Sequence, residues 1–358
     1  MTATNRPNIY DLDRAELASW MASHDQPSYR ADQLWHWLYV ELAAEPSEIT
    51  TLPLELRTEL DKAFRFRSLT QEKSLHSSDG QTEKFLLGLP DEDRYIEAVL
   101  MRYHERRTAC ISTQAGCAMG CVFCATGQMG LQRNLSAGEI IEQVLILERQ
   151  LRAEGDHMTN IVVMGMGEPL HNYDATMEAL DRLNDSDGFK FGARRITLST
   201  VGLVPAIRRF TEEGRRYNLA VSLHATTDDV RSAMLPINSR YPLDELFEAC
   251  HQYIEGSGRR LTFEWALVRD VNDGLDEAHR LADRLDGMLC HVNLIPLNPT
   301  AGYAGEPTPQ DRAEAFQQVL TARGIPCTIR VRRGIDIQAG CGQLATEATA
   351  TVHPQNQT

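Results

Sequence analysis

Cys110 to Asn134 reads CISTQAGCAMGCVFCATGQMGLQRN, and the rest of the chain is read outward from it. Four of the eight cysteines fall here, and the last three, Cys117, Cys121 and Cys124, have the spacing C-x3-C-x2-C. Thiolates this close together in a reducing cell share a metal. Structural zinc asks for a fourth protein ligand, and no second Cys or His pair follows closely. Three cysteines on an iron–sulfur cubane leave one iron with an open coordination position, where a small molecule can bind. Spacing alone admits a zinc knuckle as well, and the cubane is the better fit. Gly116, Gly120, Ala125 and Gly127 let backbone approach a cluster closely, and Phe123 is placed to shield it from water.

The chain has 358 residues, 42% of them apolar, enough for one large α/β domain and a small one. It holds no run of eighteen apolar residues and no charged-then-apolar leader, which predicts a cytoplasmic protein without membrane insertion. The net charge of −14 argues against a nucleic-acid partner on its face. The positive charge, however, is mostly Arg and comes in pairs, as at Arg106-Arg107, Arg208-Arg209, Arg259-Arg260 and Arg332-Arg333. Arginine binds phosphate bidentately and stacks on bases, so local basic patches are compatible with an acidic shell. Any single pair is more simply a solvated face or an ion pair.

Residues 1–66 read as a small helical domain. Leu12, Leu17 and Trp20, then Leu34, Trp37 and Leu38, recur at helical spacing; Ser28 starts the second helix, and 52–64 is a third. Trp35 and Trp37 are expected as core anchors rather than RNA-stacking residues. Residues 67–100 form a β-rich linker with turns at Ser78-Asp79-Gly80 and Asp91-Glu92-Asp93 and a strand over 95–99. From 101 to 345 strands and helices alternate. Strands are expected over 108–113, 160–164, 195–199, 219–223, 261–267 and 291–295. Helices are expected over 136–152 (with Ser136 and Glu139 as a capping box), 173–183, 204–213, 243–255 and 274–285. A helix over 308–323 and a closing strand over 327–331 follow. Six β/α units predict an α/β fold, a partial (β/α)6 barrel with right-handed crossovers. Residues 346–358 read as a frayed polar tail.

In such a barrel the site lies where the strands end. The polar motifs fall there: Gly165-Met166-Gly167-Glu168-Pro169-Leu170, Ser199-Thr200-Val201-Gly202, Ser222-Leu223-His224-Ala225 and Ile295-Pro296-Leu297-Asn298-Pro299. Singly each is a turn, a cap or a core His. Together they predict a pocket for a zwitterion bearing a ribose and a base, with Glu168 suited to an ammonium group. Cys250, Cys290 and Cys327 sit among apolar runs and read as core.

The C-x3-C-x-aromatic-C pattern resembles the signature of radical S-adenosylmethionine (SAM) enzymes. The strings CISTQAGCAMGCVFCATG, MGMGEPLHNYD, LSTVGLVPAI, AVSLHA, MLPINSRYPL, NLIPLNP and GIDIQAGCGQL resemble the RlmN family more closely still, in consistent order from about residue 10 to 345. The resemblance implies a methyltransferase acting on adenosine C2, in the peptidyl-transferase centre of 23S rRNA and 3′ to the anticodon of certain tRNAs. It implies one [4Fe-4S] cluster on Cys117, Cys121 and Cys124, and two SAM molecules per turnover. SAM contacts fall on Gly167, Glu168, Ser199, Ser222, Leu223, His224 and Asn298. Cys341 matches the methyl-carrying cysteine, Cys110 the second catalytic cysteine, and Glu97 the proton acceptor. Gly340 departs from the Ala often found there. In the implied scheme Cys341 is methylated, loses hydrogen to a SAM-derived radical and adds its carbon to C2, after which Cys110 attacks its sulfur and releases the product. A reductant such as flavodoxin or ferredoxin and a monomeric chain are expected with it. The Cfr-type paralogue, which methylates C8, shares these residues; Pro169, where that type tends to have Ala, favours C2. A non-catalytic iron–sulfur or zinc RNA-binding module is the third reading, and it would need neither Cys110 nor Cys341.

Overall fold

The structure, a computed structural model, describes residues 6–90 and 93–346. Helix α1 (Arg14–Ser23) starts at Asp13, whose carboxylate accepts from the Glu16 N–H while the Glu16 carboxylate accepts from the Asp13 N–H. Helices α2 (Tyr29–Tyr39) and α3 (Leu54–Ala63) complete the N-terminal helical unit. Ser28 precedes α2, although its hydroxyl makes no capping bond. Leu17, Leu34, Leu38, Leu56 and Leu60 are buried, and so is Trp35. Trp37 is half-buried and donates its indole N–H to Thr51 at 2.7 Å. Both tryptophans are packing residues.

The β-rich segment is built into the main sheet. Strands β1 (Thr70–His76), β2 (Thr82–Gly88), β3 (Tyr95–Tyr103) and β4 (Arg106–Cys110) pair antiparallel in sequence. A separate ribbon of β5 (Gln114–Gly116) and β6 (Leu131–Asn134) brackets the cysteine loop and the short α4 (Ala125–Gln128). After α5 (Ala137–Ala153) the alternation sets in: β7 (Asn160–Val163), α6 (Tyr173–Asn184), β8 (Ile196–Thr200), α7 (Val204–Glu212) and β9 (Asn218–Ser222). There follow α8 (Asp228–Met234), α9 (Leu243–Ser257), β10 (Leu261–Leu267), α10 (Leu275–Arg284), β11 (Cys290–Pro296), α11 (Gln310–Ala322) and β12 (Cys327–Ile329). From β4 onward neighbours are parallel, in the order β4-β7-β8-β9-β10-β11-β12. Edge strands β1 and β12 are not paired with each other, so the barrel is partial, as the α/β alternation predicts. Ser136 and Glu139 form the expected capping box on α5. No helix among the described residues is long and apolar enough to cross a membrane.

The β5–β6 ribbon and α4 were not expected, the closing strand expected over 327–331 ends at Ile329, and two further differences have a visible cause. The strand expected over 108–113 stops at Cys110. There the Gln143 side chain of α5 accepts from the Ser112 N–H (2.8 Å) and donates to the Ser112 carbonyl (2.9 Å), so an amide replaces the ladder and the chain turns towards β5. Helix α8, which lacks an apolar stripe, was not expected. Its Arg231 is buried and donates to the carbonyls of Val201, Ser222 and Leu223, tying the ends of β8 and β9 together. Of the turn expected at 91–93 only Asp93 is among the described residues, and its φ of 61° is the left-handed value a tight turn uses. The expected tail lies outside them from residue 347 on.

Beyond β12, residues 330–346 run from one edge of the sheet to the other. The Ser78 N–H donates to Asp336 (2.7 Å), Lys84 Nζ to the Gln338 carbonyl (3.2 Å), and the Ala345 N–H to Glu97 (3.1 Å). A C-terminal strap therefore closes the open side of the barrel.

Glu142 of α5 joins the helical unit to the barrel. Its carboxylate accepts from Asn8 Nδ2 (2.7 Å) and from the N–H groups of Ser68 (2.8 Å) and Leu69 (2.9 Å). Burial is the largest influence on it and raises its pKa to about 7, against those donors. A folded-state pKa above the unfolded one gives stability that is full below the ordinary Glu value and is lost as pH rises through about 7. The wild type is therefore expected to lose on the order of 3 kcal/mol relative to Glu142→Gln between pH 4.5 and 8. Paired thermal melts across that range check this, and parallel pH profiles would contradict it.

Candidate active site

The cysteine loop is wound more tightly than any side chain at Gly116 would allow. Gly116 has φ +72°, and a Cβ there would meet the Gly130 carbonyl oxygen at 1.9 Å. That carbonyl accepts from the Cys117 N–H at 3.0 Å. Cys117 and Cys121 are buried, Cys124 is half-buried, and all three are free thiols. Burial pushes the Cys117 thiol up to about 12 and raises Cys121 and Cys124, with the neighbouring thiols adding to it at Cys121. Three thiols without a disulfide among them, gathered in one tight loop at the cavity edge, suit thiolate ligation of an iron–sulfur cluster. Among the described residues no three His, Cys, Asp or Glu side chains converge on a single-ion site. Ligands to a cubane need not converge, because each binds a different iron. The Phe123 ring lies edge-on to His224 at 5.0 Å, over the cavity side of the loop.

A cavity of about 920 Å³, its open mouth included, begins at Cys121 and Cys124 and runs along the strand ends. Gly167, Glu168, Ser199, Ser222, His224 and Asn298 all line it. Leu223 does not: its side chain is buried in the core, and its carbonyl accepts from Arg231. Cys117 sits behind the cavity wall, packed with Met119 and Leu235.

Glu168, His224 and Asn298 are each held by hydrogen bonds to neighbouring groups. The Glu168 carboxylate accepts from the N–H groups of Val201 (2.9 Å) and Leu170 (3.1 Å), while burial raises its pKa to about 7. An ammonium ligand would restore its charge. His224 has φ 63°, a strained value for a non-glycine residue. Asn272 holds that turn by donating to the His224 carbonyl (2.7 Å), and the Ala266 N–H donates to His224 Nδ1 (2.9 Å). Nδ1 is thus the acceptor and Nε2 carries the proton. Burial and then Arg231 hold its pKa down to about 3, so the ring stays neutral. Asn298 donates Nδ2 to the Cys341 carbonyl (3.1 Å), while its Oδ1 is buried with no hydrogen-bond partner among the described residues. An orphaned buried acceptor fits a ligand donor. The residues present therefore suit both the cluster and SAM.

Cys341 lies on the wall between this cavity and a second one. The second is lined by Cys110, Cys341, Asn298 and Arg330 over an apolar floor, and by none of the three cluster cysteines. Burial, and then Cys341, push the Cys110 thiol up to about 12. The Cys341 loop is pinned to the cluster segment, since the Ala125 N–H donates to the Gly342 carbonyl (2.7 Å) and Thr126 Oγ1 to the Leu344 carbonyl (2.5 Å). Glu97 is buried on β3 outside both cavities. It pairs with Lys84 (3.0 Å) and accepts from the Ala345 N–H, so here it grips the strap. Cys250, Cys290 and Cys327 are core residues. Residue reading missed Arg231, Asn272 and Arg330. Arg330 falls inside the closing strand expected over 327–331; that strand ends at Ile329, and this places Arg330 at a strand end.

An open parallel barrel with a three-cysteine loop and a SAM-shaped row of strand ends defines a radical SAM enzyme. The Radical SAM superfamily pattern matches residues 111–282, and that of the ribosomal RNA large subunit methyltransferase N-terminal domain matches residues 7–65. Dual-specificity RNA methyltransferase RlmN 1 of Myxococcus xanthus is 52% identical, with 96% of each chain covered. A probable dual-specificity RNA methyltransferase RlmN of Chloroflexus aurantiacus is 47% identical over 94% of this chain and 92% of its own. The crystal structure of a radical SAM methyltransferase from Sphaerobacter thermophilus superposes with a TM-score of 0.92 at 49% identity, covering 94% of this chain and 99% of that one. The chain belongs to the RlmN family of radical SAM RNA methyltransferases.

Proposed function

We propose that this enzyme methylates C2 of one adenosine in the peptidyl-transferase centre of 23S rRNA and of the adenosine 3′ to the anticodon in certain tRNAs, with Cys341 carrying the carbon. What supports it is the position of Cys341 on the wall between two cavities, one lined by the SAM-binding candidates and the other by Cys110. Cys117, Cys121 and Cys124 would hold the [4Fe-4S] cluster, and Glu168, Ser199, Ser222, His224 and Asn298 would hold SAM; together the bound groups would supply a hydrogen-abstracting radical.

The chain's own residues do the rest. Cys341 gives up its thiol proton and takes a methyl group as a thioether. Gly342, with φ +82°, lets the loop turn the sulfur from one cavity towards the other. An aromatic C2–H carbon is not nucleophilic, so the carbon must arrive as a radical from the Cys341 side. Once it is joined to C2, the adduct gives up one electron, returning the one spent on SAM, and the C2 proton leaves to a base; the Cys110 thiolate then attacks the Cys341 sulfur, an S–S bond forms, the S–C bond breaks, and the released carbon takes a proton to become the methyl group. Glu97 is our assignment for that base. It lies two residues along β3 from Val99, which pairs with Cys110. A flavodoxin- or ferredoxin-type donor feeds electrons to a monomeric enzyme, and the helical unit 1–66 shares in RNA docking.

Nucleoside analysis of rRNA and tRNA from cells with and without this protein tests the reading. A 2-methyladenosine mark that depends on the protein is expected; a mark on C8, or no dependence, overturns it.

A further inference from the structure

The second cavity differs from the first in what guards it. Val99, Met101, Val162, Met164 and Leu344 form an apolar floor beside Cys110 and Cys341, the kind of wall that receives an unstacked base. Its outer edge is the strip Arg330-Val331-Arg332-Arg333 at the start of the strap. Val331 is 70% exposed there, between basic neighbours.

The charge of this strip is left standing. Of the paired arginines, Arg107 binds Asp156, Arg208 binds Glu248, Arg209 binds Asp174, and Arg215 binds Asp181. Arg332 is exposed and has no ion pair or hydrogen bond among the described residues. Arg333 has neutral partners: its guanidinium lies over the Tyr103 ring at 4.6 Å and donates to Gln81. Asp79, whose charge Arg333 feels, accepts instead from Ser77 (2.6 Å) and the Gln81 N–H (2.9 Å). In a chain of net charge −14, unneutralised guanidinium groups at the mouth of a cavity ending at two reactive thiols need an anionic partner.

We infer that Arg332 and Arg333, backed by Tyr103 and the exposed Val331, hold the RNA phosphates that flank the target nucleotide, so that its base enters the second cavity past this strip. The inference rests on the proposed function and adds to it the entry side and the residues that read the backbone. Arginine suits the task because its planar fork meets phosphate bidentately, and the ring and the valine offer a surface to a splayed neighbouring base.

The test is binding of an anticodon stem-loop RNA to the full-length protein as a function of salt. Each phosphate contact removed should lower the log–log salt slope by about one unit or slightly less. Arg332→Ala and Arg333→Ala are each expected to weaken binding several-fold with that change in slope, Arg332→Lys to keep the slope, and Arg332→Glu to weaken binding further. The exposed Arg216, between α7 and β9, gives Arg216→Ala as the control with wild-type slope. Because Arg332 makes no hydrogen bond or ion pair among the described residues, its replacement should leave the fold intact, and a wild-type slope in Arg332→Ala and Arg332→Glu overturns the assignment. The mass of the Cys341 peptide after wild-type protein has met SAM is read separately and bears on the proposed activity alone.

Discussion

Cys341→Ala is expected to abolish RNA methylation, a loss of at least about 10³-fold. The size follows from the lack of a substitute thiol. Cys110 lines only the second cavity, away from the residues proposed to hold SAM. Cys121 and Cys124 are the ligands we propose for the cluster, and Cys117 lies behind the cavity wall. Cys341→Ser should fail as fully, since a hydroxyl is a far weaker methyl acceptor than a thiolate. The loop should survive either change, because its anchors are backbone carbonyls at Cys341, Gly342 and Leu344. Mass spectrometry of nucleosides from RNA treated with each variant measures it, and an undiminished mark would refute the role of the residue.

Cys110→Ala should fail in a different way. The carbon still reaches the base, but no thiol remains to attack the Cys341 sulfur, so the chain and its RNA stay covalently joined. End-labelled RNA should then run with the protein on a denaturing gel, while product nucleoside falls towards background. Cys110 ends β4 beside Val99 and Val162, and alanine fills that buried position with little strain. Free methylated RNA at the wild-type rate, with no shifted band, would show that another group resolves the adduct.

What could be read from the chain follows from how local each cause is. The apolar run over β10 and the capping box of α5 are contained in a few residues, and both elements form where they are expected. The end of β4 depends on Gln143, on a helix thirty-one residues further on, and nothing near Ser112 announces it. Helix α8 owes its place to Arg231 satisfying carbonyls from two strands, a cause invisible to periodicity. In the site, the strand-end motifs converge as barrel topology requires. The strap is another matter. Its bonds run from residues 336–345 back to Ser78, Lys84 and Glu97, so the meeting of Cys341 with Cys110 and the grip of Glu97 on Ala345 arise from contacts some 250 residues apart in sequence. Leu223 shows the converse limit. It sits between two residues that line the cavity, and its side chain points into the core.

The central claim is that the carbon on the RNA is the one Cys341 carried. It is tested most directly by a chase. Protein is methylated on Cys341 with isotopically labelled SAM, freed of it, and given RNA, reductant and unlabelled SAM. For the first turnover the account predicts labelled carbon on adenosine C2 and its loss from the Cys341 peptide. Unlabelled carbon on the RNA, with the label still on Cys341, would contradict it.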